Sequence, residues 1–174
     1  MSSNKGKVGE MQTGKLLFDI AIREESFDVK RPTLTNESDM GADFEINSTP
    51  QELQRVFKTA NVKLTDKDET ILTSSKGNVN SRIDVKTTSN KIGKDIVDKF
   101  ATDVHKHPNT TGHILMGGSN LTAPAQRAFN QHKEVFAQED KVLAYISNEG
   151  ISQLEAEYVN HSVLPSDDGE IINS

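Results

Sequence analysis

Apolar positions along the chain switch between two periods. Val8, Met11, Leu16, Leu17, Ile20 and Ala21 recur at helical spacing and predict a first helix over 6–25, although Gly9 and Gly14 interrupt it. An extended stretch is expected near 27–32, and Ser38-Asp39-Met40-Gly41 reads as a turn into a strand at 42–46. Thr49-Pro50-Gln51-Glu52 has the chemistry of a helix start: a hydroxyl cap, proline at the first helical position and glutamate three residues after the cap. Leu53, Val56, Phe57 and Ala60 then share one helical face. Residues 61–80 are mostly polar and read as loop.

Beyond residue 80 the pattern becomes regular. A strand is predicted at 81–87, followed by a helix through Ile92, Ile96, Val97, Phe100 and Val104 that ends near His107-Pro108. A buried strand at 112–116 leads through Gly117-Gly118-Ser119-Asn120 to a helix capped by Thr122. A further strand at 141–146 precedes a closing helix with Ile151, Leu154 and Tyr158. Residues 161–174 are acidic and polar and are expected to form a flexible tail. No internal repeat is visible. Strand and helix alternating after residue 81 imply parallel strands joined by crossover helices, hence an α/β fold with a central mixed β-sheet flanked by helices.

At 174 residues the chain suits one domain. Its 26 acidic against 20 basic residues give a net charge of −6, so nucleic acid cannot be held by bulk attraction and would need a local patch or metal ions. The absence of cysteine excludes disulfides, iron–sulfur clusters, zinc fingers and thiol nucleophiles. No Trp and two Tyr leave little for stacking single strands. No apolar run is long enough for a membrane span, and the opening MSSNKGKVGE lacks the core of a signal peptide. A cytoplasmic protein without membrane partners is expected.

Acidic residues at period two mark the candidate chemistry. Asp43 and Glu45 share one face of their strand, and Asp84 and Lys86 one face of a later strand whose Ile83 and Val85 point to a core. If the strands pair, Asp43, Asp84 and Lys86 converge. Carboxylates so close favour a bridging cation, and oxygen donors suit Mg²⁺ or Mn²⁺. A bound cation of this kind polarises phosphate and activates water, and a neighbouring lysine can orient that water.

Asp39-Met40-Gly41-Ala42-Asp43 matches D-x-G-x-D, and Ile83-Asp84-Val85-Lys86 matches the apolar-(D/E)-x-K strand. Together they resemble the PD-(D/E)XK nuclease superfamily, and most closely its Mrr-like restriction endonuclease branch. Glu10 stands where that branch carries a first-helix glutamate. The segment from Gly112 to Ala125, with Ser119-Asn120-Leu121-Thr122 at its centre, resembles the branch's strand–S-x-F-T-x-x-A–helix unit. The likeness spans roughly 6–160 and implies a restriction-endonuclease-like core within a nuclease-like domain at 1–160. It implies that Asp43, Asp84 and the Val85 carbonyl bind the metal, that Lys86 positions the attacking water, and that Glu10 tunes the site or binds a second ion through water. The chain departs from the branch in two ways. D-x-K replaces E-x-K or Q-x-K, and the 41 residues from Asp43 to Asp84 are many for neighbouring strands, so 47–80 is read as an insertion.

Each residue also has a plainer reading. Asp84 and Lys86 suit an ion-paired strand face, Glu10 a helix surface, Glu45 a salt bridge and Asp39 a turn. Ser119 at a helix N-terminus could meet phosphate, while Thr122 reads as a cap. Gly117-Gly118 lacks the lysine of a phosphate-binding P-loop. His105, Lys106 and His107 suit a helix C-terminus better than a metal, since residues two apart on a helix do not face each other.

The function expected is metal-dependent cleavage of DNA in defence, recombination or repair. The alternative is a nucleic-acid-binding or regulatory protein that retains the fold without catalysis. Cutting both strands of a duplex calls for two sites, so a homodimer is expected, with the Leu53, Val56 and Phe57 face available either to it or to the chain's own core. A partner protein could supply targeting.

Overall fold

The computed structural model describes residues 2–31 and 42–159. Helix α1 (Ser2–Arg23) is followed by strands β1 (Asp28–Lys30) and β2 (Phe44–Ser48), helices α2 (Pro50–Thr59) and α3 (Asp66–Thr73), and the long strand β3 (Val79–Lys86). Helix α4 (Lys94–Thr102) and a 3₁₀ turn (Asp103–Lys106) lead to β4 (Gly112–Gly117). Helix α5 (Ala123–Ala137), β5 (Val142–Ile146), α6 (Asn148–Leu154) and a π-helical turn (Glu155–Val159) complete the order. Asp39, Met40 and Gly41 of the D-x-G-x-D match, and the tail at 161–174, lie outside the described residues.

The five strands form one open sheet in sequence order, β1-β2-β3-β4-β5. β1–β2 and β2–β3 pair antiparallel, and β3–β4 and β4–β5 pair parallel. The crossovers through α4 and α5 are those the alternating pattern predicts, and the α/β class with a mixed sheet holds. Ile114 and Met116 of β4 pack with Leu16, Ile20, Leu53, Phe57 and Ile83 on one face. Leu115 between them packs with Phe100, Phe129 and Leu143 on the other. Among the described residues, no helix is long and apolar enough to cross a membrane.

Three points that the sequence expectations missed or left open have physical causes. Helix α3 lies within the expected loop; Thr65 and Asp68 cap it reciprocally, and only Ile71 and Leu72 supply an apolar face, too few to reveal a period. The Leu53, Val56 and Phe57 face of α2, considered for a dimer, is buried in the chain's own core. Gly9 and Gly14 are contact points rather than helix breaks. A side chain at Gly9 would fall 2.1 Å from Thr87 Oγ1, and one at Gly14 would meet the Phe44 ring at 3.3 Å. The missing side chains let α1 lie close to β2 and to the chain just past β3. The Thr49 start of α2 is a complete capping box, as its sequence predicts.

The residues read as an insertion are part of the packed body. Lys133 of α5 reaches the buried Asp68 at 2.6 Å and donates to the Leu143 carbonyl, tying α3 to α5 and β5.

Candidate functional site

The β2–β3 register pairs Phe44 with Ile83 and Glu45 with Arg82, and one further step sets Asp43 opposite Asp84. Asp43 is fixed there from both sides of Asp84. Its N–H donates to the Ile83 carbonyl at 2.8 Å, and its Oδ2 accepts from the Val85 N–H at 2.7 Å. Val85 is thus engaged through its backbone, as a residue at the rim of the site. Asp84 is only 4% exposed, although its strand position alternates with apolar residues. Lys86 Nζ lies 3.4 Å from Asp84 Oδ1 and remains about one-third exposed. Asp43, Asp84 and Lys86 therefore come together at one end of β3.

The strand end itself is shaped by Gly117. With φ at 124°, it brings β4 so close that a Cβ there would overlap the Lys86 carbonyl oxygen at 1.9 Å. Tyr145 donates its hydroxyl to the Gly117 carbonyl at 2.7 Å and braces the same turn. Ser119 joins this frame through its N–H to the Asn90 carbonyl, and Thr122 is the helix cap, accepting from Ala125 N at 3.2 Å. A cleft of about 270 Å³, lined by Gln12, Thr13, Lys86, Thr88 and Asn148 among others, opens beside the end of β3.

Glu10 occupies a different position from the other candidates. It pairs with Arg31 at 2.7 Å, both side chains being substantially exposed, and Arg31 lies over the Phe44 ring, 5.5 Å from its centroid. Among the described residues, no three His, Asp or Glu side chains gather into a group that could hold a metal. Glu10 therefore does not complete a three-carboxylate cluster with Asp43 and Asp84. The two carboxylates that the register sets opposite each other, Asp43 and Asp84, are hard oxygen donors, and the Val85 group engaged there is its N–H, which donates to Asp43. Such donors suit a cation such as Mg²⁺ that keeps much of its water.

Sequence reasoning passed over the residues behind Asp84. Arg82, on the same face of β3, is fully buried. Its Nε donates to His113 Nδ1 at 2.7 Å and its Nη2 to the Phe100 carbonyl at 2.7 Å, and its guanidinium sits 4.5 Å from the Phe100 ring centroid. His113 Nδ1 is an acceptor, so the proton of the neutral ring is on Nε2, which faces the Thr110 carbonyl at 3.1 Å. Burial, reinforced by Arg82, pushes His113 down to about 3. Burial lowers Arg82 to about 10, opposed by the charges of Asp84 and Asp103. The signal available was Arg82-x-Asp84-x-Lys86, alternating charges at period two, which a strand face open to water would also show.

Lys106 pairs with Asp103 at 3.2 Å, and His105 packs edge-on against Phe136. Glu45 lies across from Lys30 in the β1–β2 register and across from Arg82 in the β2–β3 register. Protein-family models, curated proteins and solved structures yield no match to this chain.

Proposed function

We propose that the chain is a divalent-metal-dependent endonuclease of the PD-(D/E)XK superfamily, in its Mrr-like branch, and that it hydrolyses DNA phosphodiester bonds. The observation that carries the reading is the convergence of Asp43, Asp84 and Lys86 at the end of β3, with Asp43 locked to the Val85 N–H. A sheet that is antiparallel through β1–β3 and parallel through β3–β5 is consistent with a restriction-endonuclease-like core.

In this reading Asp43 and Asp84, with the Val85 carbonyl, would hold Mg²⁺ or Mn²⁺. A bound divalent cation supplies charge for the phosphate and lowers the pKa of a water. Lys86, one-third exposed and anchored to Asp84, would orient an attacking water through its ammonium group and would face the phosphate with positive charge. Glu10 acts from outside the metal's own ligands, through Arg31. With a net charge of −6, binding to DNA depends on local contacts, on a second copy of the chain or on a partner protein that supplies targeting.

The test is cleavage of supercoiled, linear and single-stranded DNA with Mg²⁺ or Mn²⁺. Cleavage is expected to be abolished in Asp84→Ala and to fall on the order of 10²–10⁴-fold in Lys86→Ala. Cleavage that persists unchanged in Asp84→Ala would overturn the assignment. A second reading, a nucleic-acid-binding protein that has kept the fold but not the reaction, is favoured by one observation: Asp84 is nearly buried, with cations on both sides. Metal binding without hydrolysis of any polymer would support it.

A further inference from the structure

Helix α1 is apolar on two opposite sides. Leu16, Leu17 and Ile20, each 2% exposed or less, join the core of the chain. Met11, Phe18 and Ile22 stand on the outer side, 67%, 58% and 72% exposed. Together with Lys15 they recur at 11, 15, 18 and 22, in steps of four, three and four. That spacing is the narrow seam of a two-helix coiled coil, which singly scattered exposed residues do not form. A helix apolar on both sides is suited to a neighbour on both sides.

The charges at the seam distinguish among neighbours. Lys15 stands exposed in its middle, and Asp19 flanks it, half-buried, with its Oδ2 lacking any hydrogen-bond partner among the described residues. Although one turn apart on the same helix, Lys15 and Asp19 do not pair with each other or with another described residue. A second α1 laid parallel on the first would set Lys15 against Lys15, and the charges would repel. Laid antiparallel about a two-fold axis between residues 16 and 17, it sets Met11 against the partner's Ile22 and Lys15 over the partner's Phe18. Lys15 then comes level with the partner's Asp19. The two-fold axis repeats each contact, so the seam is complementary to itself. A lysine laid over an aromatic ring and beside a carboxylate short of partners is stabilised by both.

We infer that the outer face of α1 is a docking surface for a second copy of this chain, paired antiparallel through Met11, Lys15, Phe18 and Ile22, with Lys15 of each copy on Asp19 of the other. One pair of helical seams is at the low end of interface size, so the dimer is reversible, with a dissociation constant on the order of 10 µM. The pairing does not require the nuclease reading of the site; where that reading holds, it brings two sites to one duplex.

The chain has no cysteine, so thiols introduced on α1 report the pairing directly. The double variant Met11→Cys/Ile22→Cys is expected to oxidise to a covalent dimer. Within one copy these positions are about 16 Å apart along the helix, too far for a disulfide. Met11→Cys alone leaves its two thiols about as far apart across the antiparallel seam and is expected not to cross-link, whereas a parallel pairing would cross-link it. Sedimentation velocity on the full chain from about 1 to 300 µM is expected to show a monomer–dimer equilibrium. Phe18→Glu is expected to weaken it at least about tenfold and to leave the urea midpoint unchanged. Lys15→Glu is expected to weaken it about fivefold, and adding Asp19→Lys to return it to within about twofold of the starting value.

A chain that stays monomeric throughout the series, a covalent dimer from Met11→Cys alone, or a dimer intact in Phe18→Glu would overturn the inference. So would a lowered urea midpoint in Phe18→Glu, which would show that this face is covered from within the chain. If Asp19→Lys fails to fold, the two cysteine variants decide. DNA cleavage enters none of these measurements. A dimer that cuts no DNA would therefore remove the proposed function alone, and a monomer that cuts DNA would remove only the pairing.

Discussion

Along β3, successive side chains enter two interiors of opposite character. Val79, Ile83 and Val85 meet α1, α2 and α6 in an apolar core, with Val79 and Ile83 each 1% exposed. Arg82 and Asp84, between them, are as deeply buried beneath α4 but are held by ions, a histidine and a carbonyl. The apolar face is stabilised by area removed from water, a term that tolerates repacking. The ionic face exchanges water for fixed partners, and each loss leaves a buried charge without compensation. One strand thus carries an apolar face that sustains the fold beside a buried ionic face, and the two respond to different perturbations.

The largest effect on stability is expected on the apolar face. Ile83→Ala removes most of a side chain at the junction of α1, α2 and the sheet, and should cost about 3 kcal/mol in urea unfolding. A cost under about 1 kcal/mol would mean that this side of β3 is not close-packed.

Acid should separate the faces next. His113 titrates at about 3 in the folded protein and near 6.5 when unfolded. Below 6.5 the unfolded chain takes up a proton that the folded chain refuses, so stability falls as pH drops from about 6.5 toward 3. Between pH 7 and pH 5 this one group should withdraw about 2 kcal/mol. Glu24 and Asp103 are lowered by hydrogen bonds from Arg55 and Lys99, Asp103 against an opposing desolvation. Their stabilisation is present above the ordinary carboxylate range and is lost at lower pH. Urea midpoints from pH 7 to pH 5 should therefore slope in the wild type and flatten in His113→Asn, which keeps an acceptor for Arg82. Equal slopes in both proteins would remove His113 as the cause.

How much of this was legible in the chain follows from the same contrast. The β3–α4–β4–α5–β5 succession could be read because Ile83 and Val85 alternate with charged residues, and Ile114–Met116 and Val142–Ile146 are apolar runs set apart by helical spacing. Asp43, Asp84 and Lys86 could be read because period two fixes which residues share a face. Arg82 and His113 could not be read, since polar alternation looks alike whether a helix covers that face or water does. Helix α3 was hidden for a local reason: its start depends on the Thr65–Asp68 pair, and Lys133, which anchors it, lies more than sixty residues away. Gly9 reads as a fault in a helix until the neighbour that requires it, Thr87, is in place.

That contact supplies a smaller test. In an ordinary exposed helix, Gly→Ala stabilises by about 1 kcal/mol. Gly9→Ala should instead destabilise by about 1–2 kcal/mol, because the new methyl overlaps Thr87 and α1 must move off the strand end. Combining it with Thr87→Ala, which removes Oγ1 and Cγ2, should recover most of the loss. A stabilising Gly9→Ala would show that α1 does not lie against the end of β3.

The smallest effect is expected at Glu10, and its size decides whether α1 contributes chemistry or only packing. Glu10 and Arg31 form a 2.7 Å pair with 29% and 45% of their side chains exposed, where water screens most of the attraction. Glu10→Gln should therefore change stability by no more than about 0.5 kcal/mol. If Glu10 acts through Arg31 and not as a ligand, Mn²⁺ affinity should move by less than about threefold, the scale of a screened charge at a distance. Asp84→Asn, by contrast, should nearly abolish binding. Arg31→Ala tests the route, because it frees Glu10 without altering its charge. If Glu10 is held away from the metal by Arg31, this variant should tighten Mn²⁺ binding slightly, as a freed carboxylate can swing toward Asp43. A tenfold or larger loss in Glu10→Gln would instead bring Glu10 into the cation's own coordination, and the polar face of β3 would then extend across to α1.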